Sequence, residues 1–189
     1  MRRLSELEGV CLGILARRNP CTVYQVRRDL KESPSAHWQA SAGSVYPLFT
    51  KLENEGFVTA SADSTDGRGR RLLRVTAKGK KAMRKWVLAG VDAELVSFVT
   101  DPIRSRMFSL QVLSTADQLD YLDKVISAME SSLAQSRTHL QRHPISENIF
   151  EFFGSLGATM STEARLDWLR LVRKKLGNTI VSNQHAEAV

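Results

Sequence analysis

No apolar run in this sequence approaches the ~18–20 residues that a helix needs to cross a bilayer, which excludes a membrane-spanning helix. The first ten residues, MRRLSELEGV, carry glutamates where a signal peptide needs an apolar stretch, so the reading is a cytoplasmic protein. Cysteine is scarce: the two present, Cys11 and Cys21, form neither a CxxC pair nor a ligand cluster. The motifs GxGxxG, GxxxxGKS/T and GxSxG are absent, so neither a phosphate loop nor a nucleophile elbow is indicated. His37, His139, His143 and His185 show no metal-ligand pattern. His139 and His143 stand four apart and share a helical face, but nothing completes a set around them. No nucleophile–base pair appears. An enzyme is not expected, and no catalytic residue, metal or cofactor is assigned.

What is present begins with charge. The chain has 189 residues and a net charge of +7, placed unevenly. Residues 1–90 hold 17 Lys/Arg against 8 Asp/Glu, a balance of +9; residues 91–189 hold 10 against 12, a balance of −2. A basic half beside a slightly acidic half suggests a polyanion-binding module joined to something else. The apolar fraction of 42% is enough for a real core.

Residues 41–58, SAGSVYPLFTKLENEGFV, are the organising stretch. Val45, Leu48, Phe49 and Leu52 fall at spacings of three, four and seven, one helical face. Ser41 is a candidate N-cap, and Gly56 suits a left-handed stop. The opposite face carries Gly43, Tyr46, Pro47, Thr50, Lys51 and Asn54 and no carboxylate, as a helix entering a major groove requires. Pro47 is tolerated only in a first turn, so the helix either starts nearer Ser44 or is bent. Taken alone, such a helix is more often a core element; its neighbours change that.

Ahead of it, Leu4, Leu7, Val10, Cys11, Ile14 and Leu15 form the stripe of a first helix, which Asn19-Pro20 ends. Thr22 can cap a second helix with Val23, Val26 and Leu30 inward. Residues 33–39 read as a turn or loop. Three short helices of this kind make a helix-turn-helix core. After Gly56 the period changes. Residues 57–59 and 70–76 are β-rich and flank a loop, ADSTDGRG, which reads as a hairpin, here a wing. Residues 66–85 hold Arg68, Arg70, Arg71, Arg74, Lys78, Lys80, Lys81, Arg84 and Lys85 against the single acid Asp66. Arginines at a hairpin tip suit a minor groove or its phosphate walls. The plain alternative, a solvated basic face, fits the lysines of 78–85 equally well.

Together these stretches resemble the winged-helix domain of the PadR family of transcriptional regulators over residues 4–88. The resemblance rests on LSELEGVCLGIL, on Pro20 with Tyr24, on GSVYP followed by KLENEGFV, on the arginine-rich wing, and on VTAKGKKAMRKW. Departures are the segment Cys21-Thr22-Val23 before Tyr24, where the family usually has a glycine, and Arg74, where it often has an aromatic residue. The resemblance implies a groove helix over residues 42–54. Ser41, Gly43, Ser44, Tyr46, Thr50 and Lys51 would meet DNA from it, and Arg68, Arg70 and Arg71 from the wing. Tyr46 could equally be a half-buried packing residue.

In the other half, Asp101-Pro102-Ile103 begins a helix with proline at its first position. Residues 115–142 form the longest helical segment, with Thr115 and Gln118 as a capping box and Leu119, Leu122, Ile126, Met129 and Leu133 as a seam. The remaining helices carry Leu166, Leu169, Val172 and Leu176, with interruptions expected near Gly154 and Gly157. A looser similarity, through DPIRSRMFSLQVL and Trp168-Leu169, extends the resemblance to the long branch of the family, roughly residues 4–176.

The expected fold class is therefore mainly α: an N-terminal winged helix-turn-helix with a two-stranded β-wing, and a C-terminal α-helical dimerisation domain. Residues 1–90 would form the DNA-binding domain, 91–177 the helical dimerisation and effector domain, and 178–189 a flexible tail. The resemblance implies a repressor that binds a pseudo-palindromic operator in double-stranded DNA as a homodimer. A small aromatic or apolar effector would release it. Trp86, Phe108 and Trp168 could line an effector pocket, although core packing explains each more simply. Two alternatives stand beside this: a DNA-binding regulator without an effector, and a helical protein–protein interaction module with a repurposed winged helix. The arginines of the wing favour nucleic acid over the second.

Overall fold

Two reciprocal caps set the start of the fold. Ser5 Oγ accepts from the Glu8 backbone N–H, and the Ser5 N–H donates to the Glu8 carboxylate, which opens α1 (Glu6–Arg18). Thr22 and Gln25 repeat the arrangement for α2 (Val23–Glu32). Each box satisfies two backbone donors that a helix start leaves unpaired. The computed structural model describes residues 2–33, 35–62, 70–91, 96–97 and 101–187, the side chains of 36 and 179–187 excepted.

The expected loop before the groove helix is in part helical. Ala36–Ser41 form α3, followed by a 3-10 turn over Ala42–Ser44. Ser41 therefore ends one helix instead of capping the next. Its hydroxyl donates to the His37 carbonyl at 2.9 Å, the back-bond of a residue within a helix. α4 (Val45–Asn54) starts after Ser44, which puts Pro47 in the first turn, where its missing N–H costs nothing. Gly56, at φ 72°, ends α4. Its N–H donates to Glu53 O at 2.8 Å and that of Phe57 to Leu52 O at 2.9 Å, the two bonds of a Schellman stop.

β1 (Val58–Ala62) and β2 (Arg71–Val75) pair antiparallel, from Val58 opposite Val75 to Ala62 opposite Arg71. Cys21 adds an isolated bridge to Leu73, its carbonyl accepting at 2.8 Å and its N–H donating at 3.3 Å. The wing is thereby tied to the α1–α2 connection. α5 (Ala77–Val87) is capped by Thr76, whose Oγ accepts from the Gly79 N–H at 3.0 Å. Leu12, Leu15, Val26, Val45 and Leu52 are fully buried at the centre. Residues 1–96 make one compact unit and 97–189 another, a division later than the expected 90/91.

In the second unit Asp101 caps α6 (Pro102–Met107), and a 3-10 turn over Leu110–Val112 leads to α7 (Thr115–Arg142). The cap of α7 is Ser114, one residue before the expected Thr115. Ser114 Oγ accepts from the Asp117 N–H. Gln118 instead donates to the carbonyls of Leu110 and Leu113. α8 (Ile149–Glu187) passes through Gly154 and Gly157 without the expected interruption. A glycine costs a helix about 1 kcal/mol against alanine, which packing along α7 offsets. The tail expected from residue 178 is helical backbone as far as Glu187.

Leu122, Met129 and Leu133 of α7 and Leu166 and Leu169 of α8 form the buried seam. Ion pairs Asp123–Arg173, Glu130–Arg170 and Arg137–Glu163 run beside it as antiparallel rungs. Asp123, Glu130 and Arg137 stand seven apart, the spacing that keeps one helical edge facing a partner helix. Among the described residues no helix is long and apolar enough to cross a membrane.

Candidate nucleic-acid interface

α4 presents its apolar side to the core through Val45, Phe49 and Leu52. That burial leaves Gly43, Ser44, Tyr46, Pro47 and Thr50 exposed on the other side. Tyr46 is 51% exposed, so it is no core residue. Thr50 Oγ1 donates to the Tyr46 carbonyl at 3.2 Å, which leaves the oxygen able to accept. A groove of about 790 Å³ runs alongside. It lies between the start of α2 (Tyr24, Gln25, Arg28), α4 (Tyr46, Thr50, Glu53) and the start of the second wing strand (Arg70, Arg71). The lining carries both hydroxyls and arginines, and among the described residues Glu53 is its sole acid. Hydroxyls and guanidinium groups side by side suit phosphate oxygens and base edges.

The structure therefore brings together Tyr46, Thr50, Arg70 and Arg71 along this groove, while Gly43 and Ser44 are exposed in the turn just before α4. Arg71 donates to both Glu53 oxygens, at 2.8 and 3.0 Å. Arg68 lies outside the described residues. Ser41 hydrogen-bonds within α3, as above. Lys51 points elsewhere: its Nζ lies 3.0 Å from Glu8 Oε1 on α1.

Glu8 is the centre of a buried network. Arg2 donates to it at 2.6 and 2.8 Å and to Glu55 through three further bonds. Burial alone would push the Glu8 carboxyl up. The Arg2 guanidinium, the Ser5 N–H and Lys51 outweigh it and hold the group at about 2, against an ordinary 4.5. The same bonds from Glu8 and Glu55 raise Arg2 above its ordinary value. The network clamps the C-terminal half of α4 to the start of α1 and thereby sets the angle at which α4 presents its outer face. Both cysteines are buried; burial pushes the Cys11 thiol up to about 12 and raises that of Cys21, which leaves them as apolar core residues.

The aromatic residues expected to line an effector pocket fall in different units, Trp86 in the first and Phe108 and Trp168 in the second. Trp86 packs against the core of the first unit and donates from Nε1 to Glu6 at 3.3 Å. It lines a groove of about 410 Å³ with Arg2, Arg3, Lys85 and Leu88. Trp168 packs on the seam of the second unit. Phe108 is 82% exposed. Among the described residues no group of three or more His, Cys, Asp or Glu side chains could hold a metal ion.

Sequence reasoning missed Gln25, Arg28 and the two acids, Glu8 and Glu53, that hold the cations. Tyr24 and Arg28 stand four apart on α2, a spacing that puts them on one face and could have been read. The pairing of Glu53 with Arg71 across 18 residues carries no such mark.

Residues 11–85 match the model of the Transcriptional regulator PadR-like family. No curated protein matches the chain. Among solved structures, it is similar to Bacillus subtilis PadR in complex with operator DNA, at TM-score 0.77 and 20% identity over 91% of this chain and 99% of that one. The PadR-like regulator BC1756 of Bacillus cereus gives 0.69 at 16% identity, over 93% and 98%. The virulence activator AphA of Vibrio cholerae gives 0.69 at 16%, over 92% and 99%. These structures share the fold: helices with a two-stranded wing. Residues 11–85 are thus similar to the Transcriptional regulator PadR-like family, and most of the chain shares the fold of these solved regulators.

Proposed function

We propose that this chain is a sequence-specific DNA-binding repressor that reads a pseudo-palindromic operator as a homodimer and leaves it when a small aromatic or apolar effector binds. The observation that carries the DNA reading is the outer face of α4. Gly43, Ser44, Tyr46 and Thr50 stand exposed at its N-terminal end, and Arg70 and Arg71 flank the groove beside them. Ser44, Tyr46 and Thr50 would supply hydroxyls to phosphates and base edges, with Gly43 allowing close backbone approach. The wing arginines would neutralise phosphates. The operator complex of the similar Bacillus subtilis PadR supports this reading.

A second copy of the chain is the proposed cover for an apolar face on α8. Phe150, Phe153 and Met160 are 83%, 52% and 59% exposed along its N-terminal half. Buried against a two-fold mate, such a face yields an isologous interface and two groove helices for two half-sites. The effector reading draws on the groove beside Trp86, where Arg3 and Lys85 favour a ligand carrying a carboxylate. The structure of the same Bacillus subtilis protein with p-coumaric acid supports that class.

Fluorescence anisotropy tests the whole reading. The protein is titrated against DNA from upstream of its own gene and against scrambled DNA at several salt concentrations. Nanomolar binding with at least ~10³ preference for the native DNA is expected, with release on adding an aromatic carboxylic acid. Equal weak binding to both duplexes would remove the sequence-reading role.

A further inference from the structure

Glu53 is out of place. The groove between α2, α4 and the wing is lined by Arg28, Arg70 and Arg71, and among the described residues Glu53 is its one acid. Its carboxylate takes both bonds from the Arg71 guanidinium, at 2.8 and 3.0 Å. The pair joins the last turns of the groove helix to the first residue of β2. The Arg71 side chain is 68% exposed and that of Glu53 31%. Ion pairs this open to water add little to stability. The consequence of the contact therefore falls on what Arg71 is able to bind.

Both bonds leave from one nitrogen, Nη2, so the carboxylate offsets the guanidinium charge and occupies that corner of its fork. A phosphate that takes Arg71 through Nη2 displaces Glu53, and a phosphate bound elsewhere on the guanidinium meets the nearby Glu53 charge. On DNA of arbitrary sequence nothing else compensates this. On the right sequence, base-edge contacts made by α4 do. We infer that Glu53 is a specificity-determining residue: it masks Arg71 and so weakens binding to non-cognate DNA more than binding to the operator. The inference rests on the DNA reading above.

The test is a double-mutant cycle of Glu53→Gln and Arg71→Ala in the full chain. Its readout is anisotropy on a random-sequence duplex and on the upstream duplex, from low to moderate salt. The glutamine substitution keeps the shape of the side chain and removes its charge, and thermal melting checks that each variant folds. Glu53→Gln is expected to tighten binding to the random duplex about 5-fold or more. It is also expected to steepen the dependence of log K on log salt by about 0.9, the value of one more neutralised phosphate. The gain on the upstream duplex is smaller, so the preference between the two falls. With Arg71→Ala already present, the same change leaves the salt slope where it was. An equal gain in both backgrounds would assign the effect to overall charge and overturn the masking role. An unchanged affinity in Glu53→Gln would overturn it as well. If no variant binds any duplex at low salt, the DNA reading fails and this inference with it; binding by the parent chain with a flat cycle defeats the inference alone.

Discussion

Glu8 shows how much one side chain decides. Its carboxylate is buried, and it is held by Arg2, Lys51 and the Ser5 N–H. Because its folded value of about 2 lies below the ordinary 4.5, it contributes stability at pH above about 4.5. That contribution is lost as the pH falls from there towards 2. A depression of this size corresponds to an upper limit of roughly 3 kcal/mol. Glu8→Gln should cost about 2 kcal/mol at neutral pH, since Lys51 loses its carboxylate and Arg2 keeps only that of Glu55. Melts at pH 7 and pH 3 check this: the gap between parent and variant should be wide at the first and narrow at the second. A second residue works in the opposite direction. The Tyr121 hydroxyl is buried and, among the described residues, has no hydrogen-bond partner. Tyr121→Phe removes a desolvated polar group and should raise stability by about 1 kcal/mol, read as an increase in Tm. On the proposed DNA face, Thr50→Ala should weaken binding to the cognate duplex more than to random DNA. Arg70→Ala should weaken both alike and flatten the salt slope, because phosphates carry no sequence.

At the scale of elements, the packing of α5 on the wing tolerates no side chain at Gly79. A Cβ there would stand 2.2 Å from the Phe57 carbonyl oxygen and 2.8 Å from Val75 Cγ1. Backbone cannot move away from it as a flexible side chain can. Gly79→Ala should therefore destabilise the first unit by about 3 kcal/mol or more, the scale of severe overpacking, seen as a large fall in the midpoint of urea unfolding. Elements also show where patterns in the sequence were sufficient. The apolar stripes of α1, α2 and α4 fall where periodicity put them, and Val45, Phe49 and Leu52 are buried as expected. Pro47 and Gly56 punctuate α4 by local sterics alone, so both were legible. The helix Ala36–Ser41 was not, because six residues are too few to show an apolar period. The continuity of α8 through two glycines was not legible either. Local propensity argues for a break, and packing along α7 overrides it.

For the whole molecule, the apolar face of α8 sets the expected behaviour in solution. Phe150→Glu with Phe153→Glu places charge on exposed positions that the proposed interface would bury. Light scattering should report a shift from dimer to monomer with secondary structure kept. Truncation after residue 99 removes the second unit and should likewise leave a monomer; a dimer that persists would place the interface on the winged helix. A monomeric form should keep salt-sensitive binding to random DNA and lose most of its affinity for a two-half-site operator, since only a dimer engages both halves.

By itself, the sequence determined the helix stripes, the turn residues, the wing and the family resemblance, because each is encoded in local spacing or in a run of neighbouring residues. It also determined which side of α4 faces away from the core, since burial of one face exposes the other. Only the tertiary structure decided which charges are occupied. Lys51 and Arg71 look equivalent in the sequence, as cations beside the groove helix. In the fold, Lys51 is held by Glu8 across 43 residues and Arg71 by Glu53 across 18. Ion pairing depends on distances of a few ångströms between segments far apart in the chain, and periodicity carries no record of them.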